Sequence, residues 1–250
     1  MVARDGLVLP SVVIEPGSWK RTNPSVRNVA AQAIMLVLDG LLLSDVVLAG
    51  YPSAELIGPG DVLWSPDRCP PGDTLLPVGV ELTALEPTRV AVLDEQLQLA
   101  AARWPPVVVA LLNRMEQRGW RLAKQAAICH LPTVHLRLLA LFWHLAERWG
   151  KVAPGHLVLP VRILHRTLGQ MVGADRSTVS LALRHLSDAG SVTRRPDGAW
   201  ILSGDPREAL ELWADRGPPR FASLVTDADR GGKRSSREQS PERAGVCFQR

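Results

Sequence analysis

No histidine precedes His130 in this 250-residue chain, and cysteine occurs only at Cys69, Cys129 and Cys247. A metal-dependent enzyme built on an N-terminal barrel needs clustered imidazole and carboxylate ligands, so the missing histidines argue against one there. The three cysteines are far apart, with no CxxC pair and no histidine at ligand spacing, which argues against a disulfide framework, a structural zinc site and a four-cysteine iron–sulfur cluster. They fit a reducing cytoplasm, where buried cysteine packs as a small hydrophobe. Also missing are a G-x-S-x-G elbow, a phosphate-binding P-loop and a G-x-G-x-x-G turn. No apolar run is long enough to span a bilayer. The greasiest stretch, Ala30 to Gly50, is interrupted by Asp39-Gly40 and Ser44-Asp45 and reads as strands joined by turns. The N-terminus has no basic segment followed by an apolar core, so no signal peptide is expected.

Charge is unevenly placed. The chain carries a formal +4, but Met1 to Cys129 holds 11 basic and 13 acidic residues, whereas His130 to Arg250 holds 18 basic and 12 acidic. The basic excess therefore lies wholly in the second half, as expected of a chain whose C-terminal part meets a polyanion.

That half contains the sharpest pattern. Leu164, Leu168, Met171 and Val172 recur at helical spacing, Gly173-Ala174 breaks the run, and Val179, Ala182, Leu183 and Leu186 begin another. Between them Asp175 is placed to cap the second helix through its carboxylate, which leaves Arg176, Ser177 and Ser180 on the leading exposed end. Gly190 ends that helix, and Ser191 to Arg195, the turn Pro196-Asp197-Gly198 and Ala199 to Ser203 read as a hairpin. Helix, tight turn, helix and wing form a DNA-binding pattern, with Arg194 and Arg195 at the wing.

Upstream, strands are expected at Leu7 to Ile14, Ala33 to Leu38, Leu41 to Leu48, Ala54 to Ile57, Val78 to Leu85 and Arg89 to Leu93. Such short segments between turn residues suggest a barrel or jelly roll. A short helix is expected over Asp94 to Arg103, and Pro105-Pro106 opens a longer one. In the latter Val108, Leu112, Met115, Gly119, Leu122 and Ala126 step by fours and threes, one seam of a coiled coil, which packs either on its own barrel or on a second copy. Leu131-Pro132-Thr133 forms a hinge, and Thr133 can cap the next helix, whose buried face includes Leu136, Leu139 and Trp143. Gly150 to His156 reads as a loop and Leu157 to Val161 as a strand. A weak helix follows at Pro206 to Ala214, and Asp227 to Arg250 lacks the apolar residues to fold. The fold class is α+β: a barrel over 1–93, a helical connector and dimerisation helix over 94–131, a winged helix-turn-helix over 132–204, and a tail over 205–250.

In this order, the elements of residues 30–204 resemble the Crp/Fnr family of bacterial transcription regulators, most closely over His165 to Leu186. Leu36 to Gly40 and Pro59-Gly60-Asp61 resemble turns of that family's sensor domain. The resemblance implies a homodimer on double-stranded DNA, with RNA polymerase a further candidate partner. It puts Arg176 at the principal base-reading position, Ser177 where the family often has Glu, and Leu181 where a second Arg is common. Those two departures imply an altered DNA specificity. Thr178, Ser180 and Arg184 are candidates for phosphate or secondary base contacts, and His165 and Arg166 for phosphate contacts. Leu164, Leu168, Val172, Val179, Leu183 and Leu186 are expected in the core. Gly60-Asp61 is followed by Val62 to Pro66 rather than by Gly-Glu and a placed Arg-Ala, with only Arg68 and Arg89 nearby, so no cyclic-nucleotide effector and no cofactor are expected; another ligand, haem included, or none would fit. Two other classes stay open: a winged helix that binds protein rather than DNA, and a cupin-like enzyme.

Overall fold

The structure is a computed structural model that describes residues 10–19, 34–65, 75–93 and 104–214, with side chains as far as residue 211. The expected helix at Asp94 to Arg103 and the tail from Asp227 lie outside these residues.

β-branched and leucine-rich runs, cut by glycine and proline, give eight N-terminal strands among the described residues: β1 (Ser11–Ile14), β2 (Gly17–Ser18), β3 (Ile34–Asp39), β4 (Leu42–Leu48), β5 (Tyr51–Ile57), β6 (Val62–Trp64), β7 (Val78–Ala84) and β8 (Thr88–Leu93). They form two four-stranded antiparallel sheets, in the orders β1-β8-β3-β6 and β2-β7-β4-β5. Inward residues of both sheets, among them Met35, Val37, Leu42, Ile57, Leu82 and Val90, make one buried cluster. The turn into β4 needs Gly40, which has φ +91° and whose missing Cβ would stand 2.6 Å from the Pro87 carbonyl. The sequence pattern predicts no strand at β2 or β6; both are too short to show a period of two.

Helix α1 (Pro105–Cys129) opens on its prolines as expected. Its seam is exposed among the described residues: Leu112 is 58% exposed and Met115 and Leu122 about 40%. The other face binds the barrel, where Arg118 pairs with Glu55 at 2.8 Å and Gln125 donates to the Ala54 carbonyl at 2.6 Å. After the turn at Pro132, α2 (Val134–Trp149) starts at Thr133, whose hydroxyl accepts from the Leu136 N–H at 3.3 Å.

The C-terminal part continues through β9 (Lys151–Ala153), β10 (His156–Leu159), α3 (His165–Val172), α4 (Arg176–Asp188), β11 (Val192–Arg194), β12 (Trp200–Ser203) and α5 (Pro206–Ala214). Its sheet has the order β11-β12-β10-β9. The expected loop at Gly150 to His156 is thus half of a hairpin, because Lys151, Val152 and Ala153 pair back onto β10 around Pro154-Gly155. Leu164 also departs from expectation: it is the extended residue before α3 and is 69% exposed, while Val161 and Ile163 take the buried places.

The core of this part does not stop at the hinge. Leu41, Leu43, Ala54 and Leu56 from the barrel join Phe142, Leu168, Met171, Val179 and Trp200 in a single buried cluster. Beside it, the carboxylate of Asp61, in the β5–β6 loop and only 2% exposed, receives Arg121 from α1, Arg148 from α2 and the Gly58 N–H. One buried charge thus ties the barrel to a helix on each side of the hinge.

Candidate nucleic-acid interface

Helix α3 ends because Gly173 adopts the left-handed conformation, φ 65° and ψ 49°, that a side chain would resist. The chain re-enters helix at α4 with Asp175 extended at the N-cap position, although its carboxylate makes no capping hydrogen bond; its carbonyl accepts from Val179 at 2.9 Å. The cap residue is where the sequence places it, but its side chain is not what satisfies the first turn. At the other end Ser191 N–H donates to Leu186 and Gly190 N–H to Ser187, a Schellman closure that directs the chain into β11.

Val179, Ala182, Leu183 and Leu186 anchor α4 in the core. That leaves Arg176, Ser177, Thr178 and Arg184 exposed on its outer side. Leu181 lies there too, 53% exposed. In the sequence Leu181 stands out only as the lack of an arginine. Its signal is an apolar residue beside core positions that already fill the buried stripe.

Ser180 behaves differently from its neighbours. Its hydroxyl donates to the Arg176 carbonyl at 2.9 Å and lies 2.9 Å from Nδ1 of His165 at the start of α3. With its proton committed to the carbonyl, Oγ accepts from Nδ1–H, so Nε2 of His165 is the imidazole's acceptor. This contact fixes α4 against α3. The His165 imidazole is held below its ordinary pKa, first by burial and then by the Arg194 and Arg176 charges.

In the wing, Arg194 lies over the Trp200 ring at 5.4 Å, and the Arg195 guanidinium pairs with Asp197 at 3.0 Å. Both remain exposed. Arg166 stands apart from the group: although exposed, it lines a cleft with Asp45, Glu81 and Gln170 on the barrel side. Burial and Glu81 push the Asp45 carboxyl up, and the Arg166 charge opposes them. The structure therefore brings together Arg176, Ser177, Thr178 and Arg184 on one helix, locks His165 to Ser180 beneath them, and turns Arg166 towards acid. Among the described residues no group of three or more histidine, cysteine or carboxylate side chains is placed to hold a metal ion. No helix among them is long and apolar enough to cross a membrane.

Residues 136–208 match the family model described as a Crp-like helix-turn-helix domain. Several solved structures share the architecture over most of the chain. A CooA mutant from Carboxydothermus hydrogenoformans is 15% identical with a TM-score of 0.63, over 82% of this chain and 87% of that one. FixK2 from Bradyrhizobium japonicum is 18% identical with a TM-score of 0.61, over 82% and 97%. A transcriptional regulator of the CRP family from Thermus thermophilus is 16% identical with a TM-score of 0.58, over 81% and 96%. At such identities the likeness establishes the fold. No curated protein matches the sequence.

Proposed function

We propose that this chain, a DNA-binding regulator of transcription by its Crp-like helix-turn-helix domain, acts as a homodimer that reads a palindromic site through α4. The observation that carries the reading is the split of α4 into a buried apolar stripe and an outer side bearing Arg176, Ser177, Thr178, Leu181 and Arg184. Such a helix fits a major groove. Arg176 at the leading end is the guanine reader, since a guanidinium fork matches O6 and N7 together. Leu181 offers an apolar surface of the kind that meets a thymine methyl group. Arg184, Arg194 and Arg195 are phosphate contacts, and His165 and Ser180 set the pitch of α4 against α3 rather than read bases.

The dimer reading rests on the exposed α1 seam, whose Leu112, Met115 and Leu122 join neither buried cluster of the described residues. A second copy would bury them and set the two α4 helices about one turn of DNA apart. On the sequence of Gly60 to Pro66, the barrel takes no cyclic nucleotide: its effector is of another kind or absent. A DNA-binding role also assigns the protein to the cytoplasm.

Fluorescence anisotropy with a selected site and with random DNA tests the base-reading role. Arg176→Ala should weaken the selected site by about 1–3 kcal/mol, roughly five- to 150-fold, and leave random DNA nearly unchanged. Equal losses on both would make Arg176 a phosphate contact only.

A further inference from the structure

Three guanidinium groups converge where the barrel meets the helices on either side of the hinge. Arg114 and Arg121 come from α1 and Arg148 from α2, and with Gln117 and His144 they line a cleft of about 300 Å³ beside the Gly60-Asp61 turn. The cleft is distinct from the DNA-facing side of α4.

Its charges do not balance. Asp61 is already shared by Arg121 and Arg148, and Glu147, at the cleft edge, pairs with Lys124 at 2.9 Å. Arg114 donates to the Gly60 carbonyl at 3.0 Å, a neutral acceptor. Three guanidiniums thus line the cleft with two carboxylates, Asp61 and Glu147, a surplus of one positive charge. Crowding of that kind also acts on Arg121, whose pKa is lowered first by burial and then by Arg148 and Arg118, against the pull of Asp61 and Glu55.

The His144 side chain is only 9% exposed, and its Nδ1 has no hydrogen-bond partner; the nearest acid oxygen, on Glu147, is 3.8 Å away. That nitrogen has no surface of its own in the cleft, so it backs the wall beside Glu147 rather than meeting a ligand. The lining favours an anion with several acceptor oxygens, since guanidinium forks pair best with them.

The geometry points to a binding site for a small phosphate-bearing molecule, its phosphate held by Arg114 and Arg148 and its remainder filling the cleft. Arg121 stays on Asp61 and supplies field rather than a direct bond. Because the ligand would touch α1 before the hinge and α2 after it, occupancy would fix the angle between the dimer helix and the DNA-binding part. That coupling rests on the regulator reading above; the site itself does not. His144 faces Glu147, Lys124 and Arg121, and burial holds its imidazole below the ordinary 6.5.

Isothermal titration of the full chain, without DNA, tests the site with inorganic phosphate, pyrophosphate and citrate. The expected result is saturable binding of pyrophosphate, one per chain, at least about tenfold weaker in Gln117→Glu, which puts a carboxylate into the cleft from an exposed position that no contact holds. Arg114→Gln should lose a similar factor, and Arg176→Ala should bind like the parent. Binding that survives both cleft variants but is lost in Arg176→Ala would overturn the site and place the anion on the DNA-facing side. Citrate binding as tightly as pyrophosphate would overturn the phosphate assignment. DNA binding without saturable pyrophosphate uptake would overturn the site alone, and the reverse would keep the site and overturn the regulator reading.

Discussion

Asp61→Asn removes the charge through which the barrel holds both helices at the hinge, and its cost can be worked from the contacts. The carboxylate is almost wholly buried, while the Arg121 and Arg148 side chains keep 27% and 19% of their surface. Removing one partner of a buried ion pair costs about 3–5 kcal/mol, because the remaining charge is left uncompensated. Both arginines can still reach water, which puts the expectation at the lower end, about 3 kcal/mol. Asparagine keeps an oxygen for the Gly58 N–H, so the turn itself should hold. At about 2–4 °C per kcal/mol for a chain of this size, the melting temperature should fall by roughly 6–12 °C. Urea titration should show a lower midpoint with the slope unchanged. Combining the change with Arg148→Met should cost less than the sum of the two, since either alone breaks the same bridge. A fall of less than about 2 °C, or strict additivity, would refute the claim that Asp61 ties the two halves together.

Three other outcomes are open to measurement. Thr133→Ala should cost about 1 kcal/mol of stability, seen in urea melts, by leaving the Leu136 N–H without its cap; Thr133→Ser should restore most of it. His135, His144 and His165 are all held below their ordinary 6.5, with burial the leading cause in each. Between 6.5 and the lower folded values the unfolded chain therefore binds more protons than the folded one, so the histidine contribution to the urea midpoint should be level above that window, decline as the pH falls across it and level off below; a flat profile would contradict the stated burial. Leu122→Glu should leave a folded monomer in sedimentation, because it places a charge in the α1 seam without touching the chain's own core.

How much was legible from the sequence depends on how local the cause was. The helix-turn-helix could be read because its two apolar stripes, the Gly173 break and the Gly190 stop lie within about seven turns of helix, and each acts on its neighbours. The wing followed from Pro196-Asp197-Gly198 for the same reason. By contrast, Asp61 meets Arg121 and Arg148 across 60 and 87 positions, and no spacing rule links them. Pro154-Gly155 turns a hairpin whose three-residue first strand is too short to alternate visibly. Leu164 shows the limit of periodicity: it falls in step with Leu168, yet it precedes the helix and so belongs to no helical face. Within the candidate interface, the exposed residues of α4 were legible from the buried stripe they avoid. The engagement of Ser180 by His165 and the turning of Arg166 towards Asp45 were not, since both depend on how α3 packs.

Selection of bound sequences from random double-stranded DNA by the purified full-length chain tests the central claim most directly. The account predicts enrichment of a two-fold symmetric motif whose half-sites are centred about 34–36 Å apart, one turn of the duplex, with a guanine preference that disappears in Arg176→Ala. Recovery of no motif, or of an asymmetric one that Arg176→Ala leaves unchanged, would contradict it.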